Sequence, residues 1–239
     1  MQSNNKPSSF NSTLIGLPKN RSIEKVIEFI LGSLEEFRKK FKNKNPENGL
    51  TQELYYLLDN KEYKIGLIRI GISKEHMEDT NKGNSPQVDI GIRAKDGIMI
   101  QGTQYANNEP FIVFEAKRLD SKIDHYKERK KEYVVGRIKN SKYLNSGGIE
   151  RFKKEIHGKK LKYVGMIGYM QTDDFDSWLE KINGYIDEEI LSPSSSDLNW
   201  EDKDKLTVDK KESIYRTYKS QHQCKTKDIS MYHIWIDLN

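Results

Sequence analysis

The chain has 239 residues, of which 35% are hydrophobic and 32% are charged, and its formal net charge is +5. A length of this order predicts one domain, and three Trp, eight Phe and 13 Tyr residues suffice for a buried core. The single cysteine, Cys224, excludes an intramolecular disulfide and a cysteine-based zinc cluster. No apolar stretch approaches the roughly 20 residues that span a bilayer, so we expect a soluble, cytoplasmic protein that does not bind membranes.

The N-terminal part of the chain predicts a leader and two helices. Residues 1–20 are polar and are expected to form a flexible leader before a single domain over residues 21–239. Residues 22–42 carry apolar side chains every three to four positions, which predicts an amphipathic helix. A second helix is predicted over residues 49–58, and its inward stripe is Leu50, Leu54, Leu57 and Leu58.

Four strands are predicted next, separated by loops rich in Asn, Gly and Asp. They cover residues 63–72, 87–93, 97–101 and 111–117. The last of these begins Phe-Ile-Val-Phe without polar alternation, which is typical of a central strand covered on both faces.

The second half of the chain alternates predicted helices and strands. A basic helix is expected over residues 120–140, a further helix over 149–157, a strand over 163–170 and a helix over 174–190. The order of elements predicts an α/β fold in which helices sandwich a mixed β-sheet.

The C-terminal segment is predicted to open with a polar loop. This loop covers residues 191–210, which are rich in Ser, Asp and Lys. A helix over residues 214–221 and a closing strand over 229–238 complete the prediction.

Three charged residues lie on predicted strands and suggest a catalytic site. Glu115 and Lys117 are two positions apart at the end of the apolar strand, so their side chains point to the same face. Burying two charges is costly unless they are paired or hold a metal. Asp89, on an earlier strand, is the candidate partner. The alternative is a surface strand on which Glu115 and Lys117 form an ordinary ion pair.

This group has the chemistry of a divalent-metal phosphodiesterase. Mg²⁺ (or Mn²⁺) is usually held by one or two carboxylates with water and substrate oxygens, and it activates water as a Lewis acid. Asp89 and Glu115 can supply the carboxylates, and the backbone carbonyl of Ala116 can add a third oxygen. Lys117 would orient the attacking water or help to deprotonate it, and would stabilise the developing negative charge.

Asp89 followed by Glu115-Ala116-Lys117 at the end of an apolar strand resembles the PD-(D/E)xK nuclease superfamily. Pro86 is not adjacent to the aspartate, because Gln87 and Val88 intervene. The resemblance covers about residues 47–170. It implies a metal-dependent nuclease with a restriction-endonuclease-like fold, a mixed core sheet of four or five strands flanked by helices.

The superfamily often adds a glutamate from a helix before the sheet, and two residues compete for that role. At 100° per residue, Glu47 lies within about 20° of Leu54 and so extends the inward stripe. Glu53 falls about 100° from the stripe, which favours solvent. Glu47 is therefore favoured as catalytic and metal-binding, although a first-turn acid is also stabilised by the helix dipole alone.

A basic block follows the candidate site. Residues 117–162 contain 16 Lys and Arg against six Asp and Glu, so this block carries +10 and the remaining chain −5. Such a block is expected to bind a polyanion, unless it is a solvated lysine-rich surface. The predicted nucleic-acid contacts are Lys122, Lys127, Arg129, Lys130 and Lys131.

The sequence also offers three weaker candidates for site residues and one glycine pair. Gln171 follows a predicted strand and is either a polar accessory or a loop residue. Ser220 and His222 could bind phosphate or order the site, although a structural role for His222 is favoured. Gly147-Gly148 could present backbone N–H groups to a phosphate or form a plain turn.

The sequence thus predicts a metal-dependent endonuclease acting on DNA, with RNA not excluded. It would be a restriction-type enzyme, expected as a homodimer, or an anti-phage effector directed by a separate ATPase or helicase. This context rests on the resemblance alone. The alternative is a non-catalytic nucleic-acid-binding subunit that has kept the fold.

Overall fold

A computed structural model describes residues 21–41, 46–65, 70–77, 85–95, 98–100, 103–106, 109–122 and 131–239. The described part is an α/β structure with a mixed seven-stranded sheet and four α-helices. The helices are α1 (Arg21–Lys40), α2 (Glu47–Ile65), α3 (Gly148–Lys153) and α4 (Phe175–Leu191).

The large sheet has the strand order β1-β2-β5-β8-β11-β10-β9. Its members are β1 (Ile70–Met77), β2 (Gln87–Ala94), β5 (Pro110–Leu119), β8 (Tyr163–Met170), β9 (Thr207–Lys211), β10 (Tyr215–Gln223) and β11 (Asp228–Asp237). The pairs β5–β8 and β8–β11 are parallel, whereas the outer pairs are antiparallel. Two small hairpins, β3 (Ile98–Ile100) with β4 (Thr103–Tyr105) and β6 (Arg137–Lys139) with β7 (Lys142–Leu144), stand beside it.

Apolar sequence runs occupy the middle of the sheet. Every residue of β8 is buried, as are the apolar residues of β5 from Phe111 to Phe114. Strands covered on both faces have continuous apolar runs, which is why these two were predictable. Helix α2 packs on β1, β2 and β5, while α3 packs on β5 and β8, so helices from two parts of the chain reach the central strand β5.

Most predicted helices and strands agree with the structure to within a few residues. The strand over 163–170 is confirmed at the same bounds as β8, and helices α1 and α4 match the predictions over 22–42 and 174–190. Helix α2 is longer than predicted and runs to Ile65, so the strand predicted from residue 63 begins only at Ile70. The predicted leader, residues 1–20, lies outside the described residues.

The prediction of a helix over residues 214–221 was wrong, because this segment is strand β10. Ser220 and His222 are buried on one face of β10 and alternate with exposed Gln221 and Gln223. Because these inward residues are polar, the strand has no apolar alternation that the sequence could display.

Two other segments, a predicted loop and a predicted helix, also differ from the prediction. The polar loop over 191–210 contains a short 3-10 helix (Asp202–Asp204) and the start of edge strand β9, whose residues are all exposed. The helix predicted over residues 120–140 does not reach residue 140, because Arg137–Lys139 forms strand β6. Asn140 and Ser141 have φ of 50° and 59°, a left-handed turn that joins β6 to β7.

The helix predicted over 149–157 ends early, at Lys153, and Glu155 beyond it has φ of 57°. The chain before α3 packs closely on residues 131–136. A Cβ atom at Gly147 would lie 2.3 Å from the carbonyl carbon of Val135, so this close approach needs glycine. The contact helps to hold α3 beside β5.

Candidate active site

Strands β2 and β5 bring the predicted carboxylates together. Their antiparallel register pairs Ile90 with Phe114, which places Asp89 opposite Glu115. Asp89 accepts a hydrogen bond from the backbone N–H of Ala116, with 2.7 Å between Oδ2 and N. Ala116, whose carbonyl is the third predicted oxygen, is therefore held against Asp89 through its amide.

Lys117 lies between two carboxylates. Its Nζ donates to Oε1 of Glu115 at 2.8 Å and lies 3.8 Å from Oε1 of Glu47. Because β5 is an interior strand of the sheet and Glu115 is only 2% exposed, the pair is not on a surface strand. The ion pair is nevertheless present, so its existence alone does not distinguish a catalytic from a structural role.

Helix α2 delivers Glu47 to this group. Glu47 is the first residue of the helix, and its Oε2 accepts a hydrogen bond from the backbone N–H of Arg118 at 2.9 Å. The first turn is held by Thr51, whose hydroxyl donates to the Glu47 carbonyl and accepts from Tyr169 on β8. Glu53, by contrast, lines a groove between α1 and α2.

In the nuclease that the sequence predicts, Glu47→Gln is expected to reduce metal-dependent cleavage by about a hundredfold, because it removes a carboxylate that contacts both Lys117 and β5. Glu53→Gln is the matched control, with the same chemical change on the same helix, and is expected to be nearly silent. Steady-state cleavage of labelled DNA measures both. A disabled Glu53→Gln with an active Glu47→Gln would reverse the assignment.

Two residues that the sequence analysis did not select complete the group. Arg151 on α3 donates from Nη1 to Oε1 of Glu115 at 2.8 Å. His157 lies beside it, with Nε2 3.6 Å from Oε2 of Glu115 and 3.2 Å from Nη1 of Arg151. Nothing in the sequence links Arg151 to Glu115, because the contact depends on how α3 packs against β5.

The two strand carboxylates titrate in opposite directions. Burial, together with the nearby charge of Glu115, raises the pKa of Asp89 to about 7. Burial alone would also raise the pKa of Glu115, but adjacent cations outweigh it and hold this pKa below its usual value. Burial lowers the pKa of His157 to about 4, so at neutral pH those cations are Lys117 and Arg151.

Lys117 stays protonated in this setting. Burial opposes its charge, yet the carboxylates of Glu115, Glu47 and Asp89 outweigh the burial and raise its pKa above the ordinary value. Lys117 can therefore donate to a water molecule or an anion at neutral pH, and it is not a general base in this form of the protein.

The donor atoms fit a divalent cation. Oε2 of Glu115 is buried and has no hydrogen-bond partner, which is costly for an ionised carboxylate. A cation between Asp89 and Glu115 would satisfy this oxygen and relieve the repulsion that raises the pKa of Asp89. The described residues contain no group of three or more His, Cys, Asp or Glu side chains suited to a metal. Two carboxylates with water nevertheless match the usual coordination of Mg²⁺.

The structure describes only part of the predicted basic surface. Lys127, Arg129 and Lys130 lie outside the described residues. Lys122 is exposed just after β5, and its backbone N–H donates to Asp120 at 3.0 Å. Lys131 forms an ion pair with Glu188, so its charge is partly compensated.

The first three N–H groups of α3 are not free to bind a phosphate. The N–H groups of Gly148, Ile149 and Glu150 donate to the carbonyls of residues 132, 133 and 134 at 2.9–3.1 Å. The glycines therefore serve the close packing of this segment, which agrees with the turn interpretation.

One accessory candidate lies at the ends of β5 and β8, and the other two lie on β10. Gln171 directly follows β8, and its backbone N–H donates to the carbonyl of Leu119 at the end of β5. Ser220 and His222 are buried on β10 and hydrogen-bond to each other at 2.6 Å. Among the described residues, no hydrogen bond joins this pair to Asp89, Glu115 or Lys117.

Comparison with known proteins yields no matching family model, no matching curated protein and no matching solved structure. Within the described ranges, no helix has both the length and the apolar character needed to cross a membrane.

Proposed function

We propose that this protein is a divalent-metal-dependent endonuclease that hydrolyses DNA phosphodiester bonds. The observation that carries the proposal is the convergence of Asp89, Glu115, Lys117 and Glu47 from β2, β5 and α2, with a buried, unpartnered oxygen on Glu115. Buried charges with perturbed pKa values that gather from separate elements favour a functional site over an isolated ion pair.

The arrangement of strands supports a restriction-endonuclease-like fold. Antiparallel strands β1, β2 and β5 lead into parallel strand β8, and a preceding helix contributes Glu47. The sheet has seven strands rather than the expected four or five, because β11, β10 and β9 extend it beyond β8.

Each residue has a role in the proposed reaction. Asp89 and Glu115 would hold Mg²⁺ or Mn²⁺, with the Ala116 carbonyl and Glu47 as further oxygen donors. The bound cation supplies Lewis acidity and lowers the pKa of water. Lys117, fixed by Glu115 and Glu47, donates a hydrogen bond to the attacking water or to a phosphate oxygen as negative charge develops.

The same site is compatible with the biological settings that the resemblance implies. These are a restriction enzyme acting as a homodimer in the cytoplasm and an anti-phage effector recruited by a separate ATPase or helicase. RNA contains the same phosphodiester link, so DNA and RNA must be compared directly as substrates.

The decisive experiment incubates the purified full chain with supercoiled, linear and single-stranded DNA and with RNA, in Mg²⁺, Mn²⁺ or EDTA. Cleavage in metal but not in EDTA, lost in Asp89→Asn, is the expected result. This substitution keeps the shape of the side chain and removes a ligand charge. Failure of the wild type to cleave any substrate, with salt-sensitive binding retained, would instead favour a non-catalytic binding subunit.

We expect the affinity for Mn²⁺ to depend on pH, because Asp89 must lose its proton to bind a metal. With its pKa raised to about 7 in the metal-free protein, affinity should increase by about tenfold between pH 6 and pH 8 and level off above. Calorimetric titration measures this change. An affinity that is constant over this range would argue against Asp89 as a ligand.

A further inference from the structure

We propose that Arg151 is a substrate contact of the candidate site and binds a nucleic-acid phosphate through the outer edge of its guanidinium group. The inference rests on the proposed function and adds a residue that lies outside the predicted basic cluster. Arg151 is on α3, 36 positions beyond Glu115, and α3 packs on β5 and β8.

Three hydrogen bonds fix the orientation of Arg151. Its Nη1 donates to Oε1 of Glu115 at 2.8 Å and to Nε2 of His157 at 3.2 Å, and its Nε donates to the backbone carbonyl of Asn145 at 2.9 Å. Within the described residues no hydrogen bond uses Nη2. The side chain of Arg151 is 30% exposed, whereas that of Glu115 is 3% exposed. The guanidinium group is thus anchored on a buried carboxylate with one nitrogen left for an anion, and its planar donors suit phosphate.

The net charge of the site links the proposed phosphate contact of Arg151 to metal binding. Three carboxylates (Asp89, Glu115 and Glu47) face two cations (Lys117 and Arg151), so the ionised group carries −1. A divalent cation would change this to +1, which favours a phosphodiester anion. Metal on Oε2 of Glu115 would also weaken the hold of this carboxylate on Arg151. Arg151 is therefore expected to matter more for DNA binding in a divalent metal than in EDTA.

Other cations near α3 are paired with carboxylates outside the site. Lys154 lies 2.8 Å from Glu150, and Lys131 pairs with Glu188. Arg137 lies 3.1 Å from Glu132. In the described part of the chain, the carboxylate partner of Arg151 is the proposed metal ligand itself, which distinguishes it from these neighbours.

The test measures binding separately from cleavage. A short labelled DNA duplex is titrated with the full chain in Ca²⁺ or in EDTA, and Kd is obtained by fluorescence anisotropy between about 50 and 200 mM salt. The variants are Arg151→Ala, Arg151→Gln and Arg151→Lys. The matched control is Arg216→Ala, which removes an arginine on β10 whose carboxylate partner is Asp176.

We expect Arg151→Ala and Arg151→Gln to weaken binding in Ca²⁺ by about tenfold and to reduce the slope of log Kd against log salt by about one. Arg151→Lys should keep the slope, because it keeps the charge. Arg216→Ala should change Kd by less than about twofold. If Arg151→Ala does not fold, Arg151→Gln and Arg151→Lys give the same comparison.

The outcomes separate this proposal from the nuclease assignment. Unchanged Kd and salt slope in Arg151→Gln would overturn the phosphate contact, even if cleavage fell, since Arg151 would then only position Glu115. An inactive wild type whose DNA binding still depends on Arg151 would remove the nuclease assignment and keep the contact. A wild type that binds no nucleic acid would overturn both.

Discussion

Replacing Lys117 by methionine or alanine is expected to reduce metal-dependent DNA cleavage by at least about a thousandfold. The substitution removes an ammonium group that contacts both Glu115 and Glu47. Methionine keeps most of the side-chain volume on β5. The loss should appear in kcat at saturating Mg²⁺ and Mn²⁺, because the charge acts on the transition state.

The fold should survive this substitution. Glu115 keeps a cation, since Arg151 still donates to the same carboxylate oxygen at 2.8 Å. The matched control is Lys219→Met, which removes a strand lysine whose Nζ lies 2.8 Å from Asp209 on the neighbouring edge strand. Circular dichroism and thermal unfolding verify that both variants fold. A folded Lys117→Met that retains more than about a tenth of the wild-type rate would make the Glu115–Lys117 pair structural.

The sequence was sufficient for the centre of the sheet and for the residues that lie on it. Continuous apolar runs identified β5 and β8, and the two-residue spacing put Glu115 and Lys117 on one face. The helical phase of α2 favoured Glu47 over Glu53, and the structure brings Glu47 to Lys117. These predictions succeed because each depends only on the spacing of residues within one strand or one helix.

What the sequence could not show depends on packing between distant segments. The contact of Arg151 with Glu115 depends on the position of α3, and the close approach of the chain before α3 to Val135 needs glycine at position 147. Strand β10 was assigned as a helix because its inward face carries Ser220 and His222, which only make sense as members of a buried network. Their hydrogen-bond partners outside β10 are His233 on β11 and Asp204, which come from two other segments.

That network is a directed chain of hydrogen bonds. The indole N–H of Trp235 can only donate, so it begins the chain by donating to the hydroxyl of Tyr133. The hydroxyl of Tyr133 in turn donates to Nδ1 of His233. The Nε2–H of His233 then donates to Ser220, and Ser220 donates to Nε2 of His222. The Nδ1–H of His222 ends the chain on Asp204. Every bond is satisfied when both histidines are neutral.

Lys153 provides the charge that balances Asp204. The two side chains are 2.6 Å apart and both are fully buried. Burial alone would raise the pKa of Asp204, but the hydrogen bond from His222 and the charge of Lys153 hold it below its usual value. Breaking such a pair leaves a buried charge without compensation, whereas neutralising both members is far less costly.

We expect Lys153→Met to lower the free energy of unfolding by about 3–5 kcal/mol, measured by urea denaturation. Asp204→Asn should be comparably harmful, and the double variant should be more stable than the sum of the single effects predicts. The control is Lys39→Met, which removes an exposed ion pair with Glu35 on α1 and should leave the free energy of unfolding nearly unchanged. A loss below about 1 kcal/mol in Lys153→Met would contradict the role of the pair.

The loss of stability caused by Lys153→Met should also be smaller at acidic pH. Burial lowers the pKa of His222 in the wild type, so the unfolded chain binds a proton more readily and the wild type loses stability as pH falls below about 6.5. Without Lys153, a protonated His222 becomes the cation that pairs with Asp204, which raises the pKa of His222 and removes that loss. The stability difference between wild type and variant should therefore be smaller at about pH 5 than at about pH 8. A difference that stays constant with pH would mean that His222 does not replace the missing charge.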